Sequence, residues 1–226
     1  MEDFEGRKIF VTGASRGIGK SIKAGLEERG AVVISPARDE MDLLSEESVE
    51  NYLEHEDLSD IDGFVHCAGI NQLAGIDTIE NQILERVFQV NLFSAIEIIK
   101  RLSKGMKERR YGRIVLISSL YALVSRENRI AYSTSKNALT GLSKTLTLEL
   151  APYNILTNCV APGYVMTDMT RRNLSDEDIR SIEGRIPTGR FQEEKEIADL
   201  TAFLCSDVNK SITGQLIAVD GGFLCN

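Results

Sequence analysis

Tyr132 and Lys136 are four residues apart, and Ser119 lies thirteen residues before the tyrosine, at the end of the apolar run Arg113-Ile114-Val115-Leu116-Ile117. If the segment opening at Tyr132 is helical, the tyrosine and lysine stand one turn apart on the same face. A phenol with a pKa of about 10 is a poor acid or base near neutrality. A neighbouring ammonium favours its ionised form, so the pair predicts a proton donor whose pKa Lys136 lowers. Ser119 can then hold the oxygen of a carbonyl or alcohol while hydride moves at carbon. Such a pair also occurs on many solvated helix faces, so the surrounding chain must supply the weight. Neither His55 nor His66 lies near a partner motif for Ser-His-Asp chemistry, and His66 reads as a satisfied strand histidine.

Hydride transfer needs a carrier, and the stretch Lys8 to Lys23, KIFVTGASRGIGKSIK, has the form of a diphosphate cradle. A short apolar strand runs into a turn with little side chain. Gly13, Ser15, Arg16, Gly17, Ile18 and Gly19 are its candidate contacts, and a helix opens at Ile18. Three residues rather than the usual one lie between the first two glycines, so glycine spacing alone is weak support. At the end of the next strand, over 31–35, the chain reads Ser35-Pro36-Ala37-Arg38, with no carboxylate to bind a ribose diol. Arg38 and Arg16 are the candidate clamp for a 2′-phosphate, which favours NADP(H) and leaves NAD(H) as the alternative; Asp39 and Glu40 weigh against it. Ala68 and Gly69 end a third strand with small residues across which a flat ribose or adenine can lie. Asn91 interrupts an apolar helical pattern near 83–104, predicting a local bend or a polar role, with capping or core satisfaction as the bland alternative.

These elements alternate. Strand-like runs at 8–12, 31–35, 62–67, 113–119, 155–160 and 215–219 are separated by helical periods, which predicts a doubly wound α/β Rossmann-type parallel sheet with ligands at the carboxyl ends of the strands. A receiver-like domain that binds no nucleotide is the competing architecture. At 226 residues, 42% hydrophobic and 27% charged, the chain fits a single domain over 1–226. The net charge of −8 argues against nucleic acid or an anionic membrane surface as main partner. No signal peptide or membrane span is legible, so a cytoplasmic location is expected. The four cysteines lack metal-ligand spacing; buried free thiols and no metal site are expected.

The ordered set TGASRGIG at 12–19, Cys67-Ala68-Gly69, Asn91 within VNL, ISS ending at Ser119, YSTSK at 132–136, and Pro162-Gly163 followed by Val165 and Thr167 resembles the short-chain dehydrogenase/reductase family, essentially end to end. The resemblance implies a catalytic tetrad of Asn91, Ser119, Tyr132 and Lys136. Lys136 would also hold the nicotinamide ribose, Asn91 would support a water relay, and Pro162, Gly163, Val165 and Thr167 would close over the nicotinamide and diphosphate. Cys67 stands where the family usually has Asn. Arg38 is followed almost at once by Asp42 and Leu43, the candidate adenine contacts, so a helix and a strand usual in the family are missing and six strands are expected, with 31–35 on an edge.

The C-terminal half resembles the 3-oxoacyl-carrier-protein reductase branch. That implies an acyl-thioester substrate and an acidic acyl carrier protein docking at Arg110 and Arg171, against a small carbonyl compound, sugar or polyketide-like substrate. Segment 164–190 is expected to be a mobile lid. A homotetramer using helices near 82–104 and 133–150 is implied by the family, and a non-catalytic nucleotide-binding sensor or scaffold is the reading from another class.

Overall fold

The computed structural model describes residues 4–167, 170–171 and 174–225. In chain order its main elements are β1 (Lys8–Thr12), α1 (Gly17–Glu27), β2 (Val32–Ile34), α2 (Glu46–His55), β3 (Gly63–His66), α3 (Asn81–Phe88), a π-helical turn (Gln89–Phe93) and α4 (Ser94–Arg109). There follow β4 (Gly112–Ile117), α5 (Ile130–Leu150), β5 (Ile155–Pro162), α6 (Asp176–Glu183), α7 (Glu194–Cys205) and β6 (Leu216–Val219).

All six strands are parallel, in the order β2-β1-β3-β4-β5-β6. The expected doubly wound sheet is present, with β2 on one edge and, among the described residues, no further strand beyond it. Cα partners Phe10, Phe64 and Ile114 run across β1, β3 and β4 and join one apolar core with Leu53, Leu102 and Leu139. Their sequence neighbours Val11, Val65 and Val115 point into a second core with Ile22, Leu26, Ile197 and Ala202. A parallel sheet covered on both faces reads as continuous apolar runs, which is why the strand positions are legible without alternation.

Local signals set several element ends. Ser45 caps α2 by accepting from the Ser48 N–H at 3.1 Å, with Glu46 and Glu47 in the first turn. A reciprocal capping box between Ser175 and Asp178 opens α6. The helix expected near 83–104 is two helices joined by the π turn, and Asn91 sits inside that turn. Its side chain is fully buried and pairs with a loop: Oδ1 accepts from the Ile70 N–H at 2.8 Å, while Nδ2 donates to the Ile70 carbonyl and to Ser135 Oγ, each at 3.0 Å.

The carboxyl ends of all six strands lie along one side of the sheet, because the strands are parallel. The loops leaving β1, β2, β3, β4 and β5 there hold the glycine turn, Ser35–Arg38, Cys67–Gly69, Ser118–Ser119 and Gly163–Thr167. Among the described residues no helix is long and apolar enough to cross a membrane, and no group of three His, Cys, Asp or Glu side chains could hold a metal ion. Cys159 and Cys205 are buried, Cys67 is partly so, and Cys225 is exposed, against the expectation that all are buried.

Candidate active site

Ser119 is placed by β4 and Tyr132 by the first turn of α5, and the contacts between the two segments hold them in register. Ser118 Oγ donates to the Lys136 carbonyl at 2.8 Å, Lys136 Nζ donates to the Ile117 carbonyl at 2.7 Å, and Asn137 Nδ2 donates to the Ala122 carbonyl at 2.7 Å. Ser119 Oγ accepts from the Tyr121 N–H at 3.2 Å, and its hydroxyl faces that of Tyr132. Lys136 Nζ lies 5.8 Å from the centroid of the Tyr132 ring. Asn91 reaches the same cluster through Ser135, and both Lys136 Nζ and Asn91 Oδ1 border the space beside Gly69, where a Cβ would approach them at 3.2 and 3.5 Å. Asn91, Ser119, Tyr132 and Lys136 are therefore brought together.

The electrostatics differ from the sequence expectation. Burial pushes the Tyr132 phenol above its ordinary value, with Ser119 and Arg129 pulling in the other direction. Burial also lowers Lys136, to about 8. The expected lowering of Tyr132 by Lys136 is thus not what this chain by itself achieves: desolvation outweighs the neighbouring charges. His66 is also strongly affected, held down to about 3 by burial and by the Lys136 charge; its Nδ1 is bonded to Thr12 Oγ1 at 2.9 Å, and its Nε2 lacks a well-formed hydrogen bond. It is a neutral core side chain at physiological pH, with the Val90 and Asn91 backbone facing its imidazole.

The glycine turn fits a diphosphate. Gly13 has φ +73, and a Cβ there would lie 2.6 Å from the Ala68 nitrogen, so the turn packs directly on Ala68. A Cβ at Gly19 would collide with the Gly13 carbonyl oxygen, which is why α1 can start this close to β1. No side chain caps the N-terminus of α1, and its first N–H groups, at Gly17, Ile18 and Gly19, are available to an anion. Across the gap from Gly17 stands Thr167 Cγ2, 4.0 Å from where a Cβ would be. Ser15 and Arg16 are exposed on the same turn.

At the end of β2, Arg38 is exposed and pairs with Asp42 at 3.4 Å, while Asp42 also accepts from the Leu44 N–H at 3.1 Å. A cation missed by the sequence reading joins them: Lys23 on α1 donates to Ser35 Oγ at 3.0 Å. Its position two turns into α1, on the side facing β2, was the available signal. Pro162 closes β5 and Gly163 packs on Asp220; Val165 bridges Gln192, with Met166 N–H donating to the Gln192 carbonyl at 2.8 Å. Arg110 does not join the site within the chain. It ends α4 in a left-handed turn (φ 54), donates to the Pro152 carbonyl at 2.9 Å, and precedes β4, whose opposite end carries Ser119 about 20 Å away at the usual strand rise. Arg171 is exposed after Thr167, and part of the expected lid, residues 168–169 and 172–173, lies outside the described residues.

This arrangement can place an oxygen between Ser119 and Tyr132 beside a nucleotide cradle, the geometry of a carbonyl or alcohol redox site. Comparison with known proteins agrees. A family model described as enoyl-(acyl carrier protein) reductase matches residues 37–224. The 3-oxoacyl-[acyl-carrier-protein] reductase FabG of Aquifex aeolicus (strain VF5) is 36% identical over 242 aligned positions, covering 96% of this chain and 97% of the relative. L-xylulose reductase of Caenorhabditis elegans is 37% identical and covers 99% and 98%. The crystal structure of a gluconate 5-dehydrogenase from Burkholderia cenocepacia J2315 in complex with NADP and tartrate superimposes with a TM-score of 0.91 at 27% identity, covering 99% and 97%. With the family model and these relatives spanning nearly its whole length, the chain belongs to the short-chain dehydrogenase/reductase family.

Proposed function

We propose that the protein is an NADP(H)-dependent oxidoreductase that interconverts a carbonyl compound and its alcohol, with Asn91, Ser119, Tyr132 and Lys136 as its working residues. The observation that carries this reading is the convergence of the Ser119 and Tyr132 hydroxyls, beside Lys136, next to the uncapped N-terminus of α1. When bound, the reduced nicotinamide supplies hydride. Ser119 holds the substrate oxygen and Tyr132 delivers a proton to it from Oη. Lys136, fixed on the Ile117 carbonyl, orients the nicotinamide ribose and brings positive charge to the phenol, and Asn91 anchors the loop at Ile70 and the α5 turn at Ser135. The glycine turn, Gly13 to Gly19, takes the diphosphate. Cys67, Ala68 and Gly69 line the ribose side, with Arg16, Arg38, Asp42 and Leu43 toward adenosine and Pro162, Gly163, Val165 and Thr167 over the nicotinamide.

A 3-oxoacyl thioester is the finer substrate reading, supported by the FabG relatives, with an acyl carrier protein meeting Arg110 and Arg171. A sugar or other small carbonyl compound is the second, supported by the resemblance to L-xylulose reductase and gluconate 5-dehydrogenase. A cytoplasmic homotetramer and a lid over 164–190 complete the reading. The deciding experiment monitors NADPH consumption with a panel of acyl thioesters, sugars and simple ketones. Turnover of at least one class is expected; tight NADPH binding with no turnover of any would make the protein a nucleotide-binding sensor instead.

A further inference from the structure

We propose that the substrate carries an oxyanion, a carboxylate or a phosphate, a few bonds from its reacting carbonyl, and that Arg129 and Arg126 bind it. This rests on the reductase reading above and adds the chemical class of its substrate.

The two arginines lie in the loop between Ser119 and Tyr132, where they border the reaction centre. The Tyr121 ring stands edge-on to the Tyr132 ring at 6.3 Å between centroids. The Arg129 guanidinium lies over Tyr121, 5.2 Å from its centroid, so only one aromatic ring separates it from Tyr132. Arg126 faces the hydroxyls of Tyr121 and Tyr164, which approach each other at 3.5 Å. Tyr164 leads into an aromatic wall with Phe191 at 5.9 Å and Phe223 at 5.2 Å, and Arg185 lies over the Phe223 ring. The surroundings of Tyr132 therefore combine aromatic rings with arginines.

Arg129 is the informative member. Its Nε is buried without a hydrogen-bond partner, and among the described residues its guanidinium has no ion pair. A buried donor left without a partner carries a desolvation cost, and a chain with 34 acidic residues has ample means to place a carboxylate beside it. Backbone pairing fixes the site instead: Ala74 forms a bridge with Arg129 and donates its N–H to the Asn128 carbonyl at 3.2 Å. A guanidinium held in place and left unpaired beside a reaction centre matches a planar oxyanion, which it can take in two parallel hydrogen bonds. Stacking on Tyr121 keeps the fork oriented without consuming its donors. With the substrate oxygen on Ser119 and Tyr132, an oxyanion further along the same small molecule reaches Arg129, and Arg126 closes over it.

The test uses the full chain with NADPH and matched substrate pairs: short 2-, 4- and 5-oxo acids against their methyl esters, and dihydroxyacetone phosphate against dihydroxyacetone. The charged member is expected to have at least a 10-fold higher kcat/KM, mostly through a lower KM. Arg126→Gln with Arg129→Gln should bring the charged-to-neutral ratio to about one, and Arg129→Lys should retain part of it. Far-UV circular dichroism and NADPH binding confirm that each variant is folded. A larger ratio for the phosphate pair than for the acid pairs assigns the anion as phosphate; the reverse assigns carboxylate. Neutral members reduced as well as charged ones, or an unchanged ratio in the double variant, overturns the proposal while leaving the reductase reading intact. Failure to reduce any member while an acyl thioester or sugar is turned over overturns the proposal alone, and failure with those substrates as well overturns both.

Discussion

Lys136 donates to the carbonyl of Ile117, the last residue of β4, at 2.7 Å, and is almost wholly buried. One neutral carbonyl does not compensate for a desolvated ammonium, and burial lowers its pKa from 10.5 to about 8. Between those values the unfolded chain binds more protons than the folded one, so stability rises with pH across that window; below about pH 8 the folded protein bears the whole cost of the buried charge. Lys136→Met should therefore be more stable than the wild type at pH 7, by about 1–2 kcal/mol after the lost hydrogen bond is deducted. The advantage should shrink as pH rises from 8 toward 10. Urea denaturation of both proteins at pH 7 and 9.5 checks this, and a pH-independent difference would refute it.

Tyr132→Phe should keep the fold and cofactor binding, because the ring still packs edge-on to Tyr121 and only the hydroxyl facing Ser119 is lost. Turnover should fall roughly 10²-fold or more as the proton donor disappears. Single-turnover rates with saturating NADPH separate this from a binding defect, and a rate near that of the wild type would remove Tyr132 from the mechanism.

NADPH should bind more tightly than NADH by roughly 10- to 10³-fold, from charge-assisted contacts worth about 1–2 kcal/mol each, and the preference should shrink as salt rises. Ala37→Asp with Arg38→Ala should invert it. Because Asp42 holds Arg38 at 3.4 Å, Asp42→Asn should increase the preference by releasing that guanidinium. Dissociation constants for both reduced cofactors decide the matter: equal affinities would mean that Arg16 and Arg38 are solvated surface residues.

Much of this architecture is legible in the residues themselves. The apolar runs mark all six strands because both faces of the sheet are covered, and the four-residue step from Arg38 to Asp42 announces the shortened β2 side. Asn91 announces the π turn because an amide in an apolar helical stripe needs partners, which Ile70 and Ser135 supply. The direction of the Tyr132 shift is not legible, since a four-residue spacing reports the neighbouring charge but not the burial that outweighs it. Arg126 and Arg129 look like ordinary loop charges until Tyr121 and Tyr164, brought by different strand ends, meet them in space. Lys23 shows only weakly for a similar reason: its place two turns into α1 hints at a role, but its partner, Ser35, comes only after the next strand.

The three-residue strand β2 pairs only with β1, and Val32 at its start is 52% exposed. With no strand beyond it among the described residues, its outer backbone groups form the kind of open rail along which a second chain can add itself. The rail is kept short: Pro36 follows one residue after Ser35 and removes a donor, and Arg38, Asp39 and Glu40 put charge where an incoming strand would have to run. This edge of the sheet is thus guarded by a brief stretch of chain. A change that extends β2, such as Pro36→Val with Arg38→Thr, would turn this edge into a seed for sheet-to-sheet aggregation.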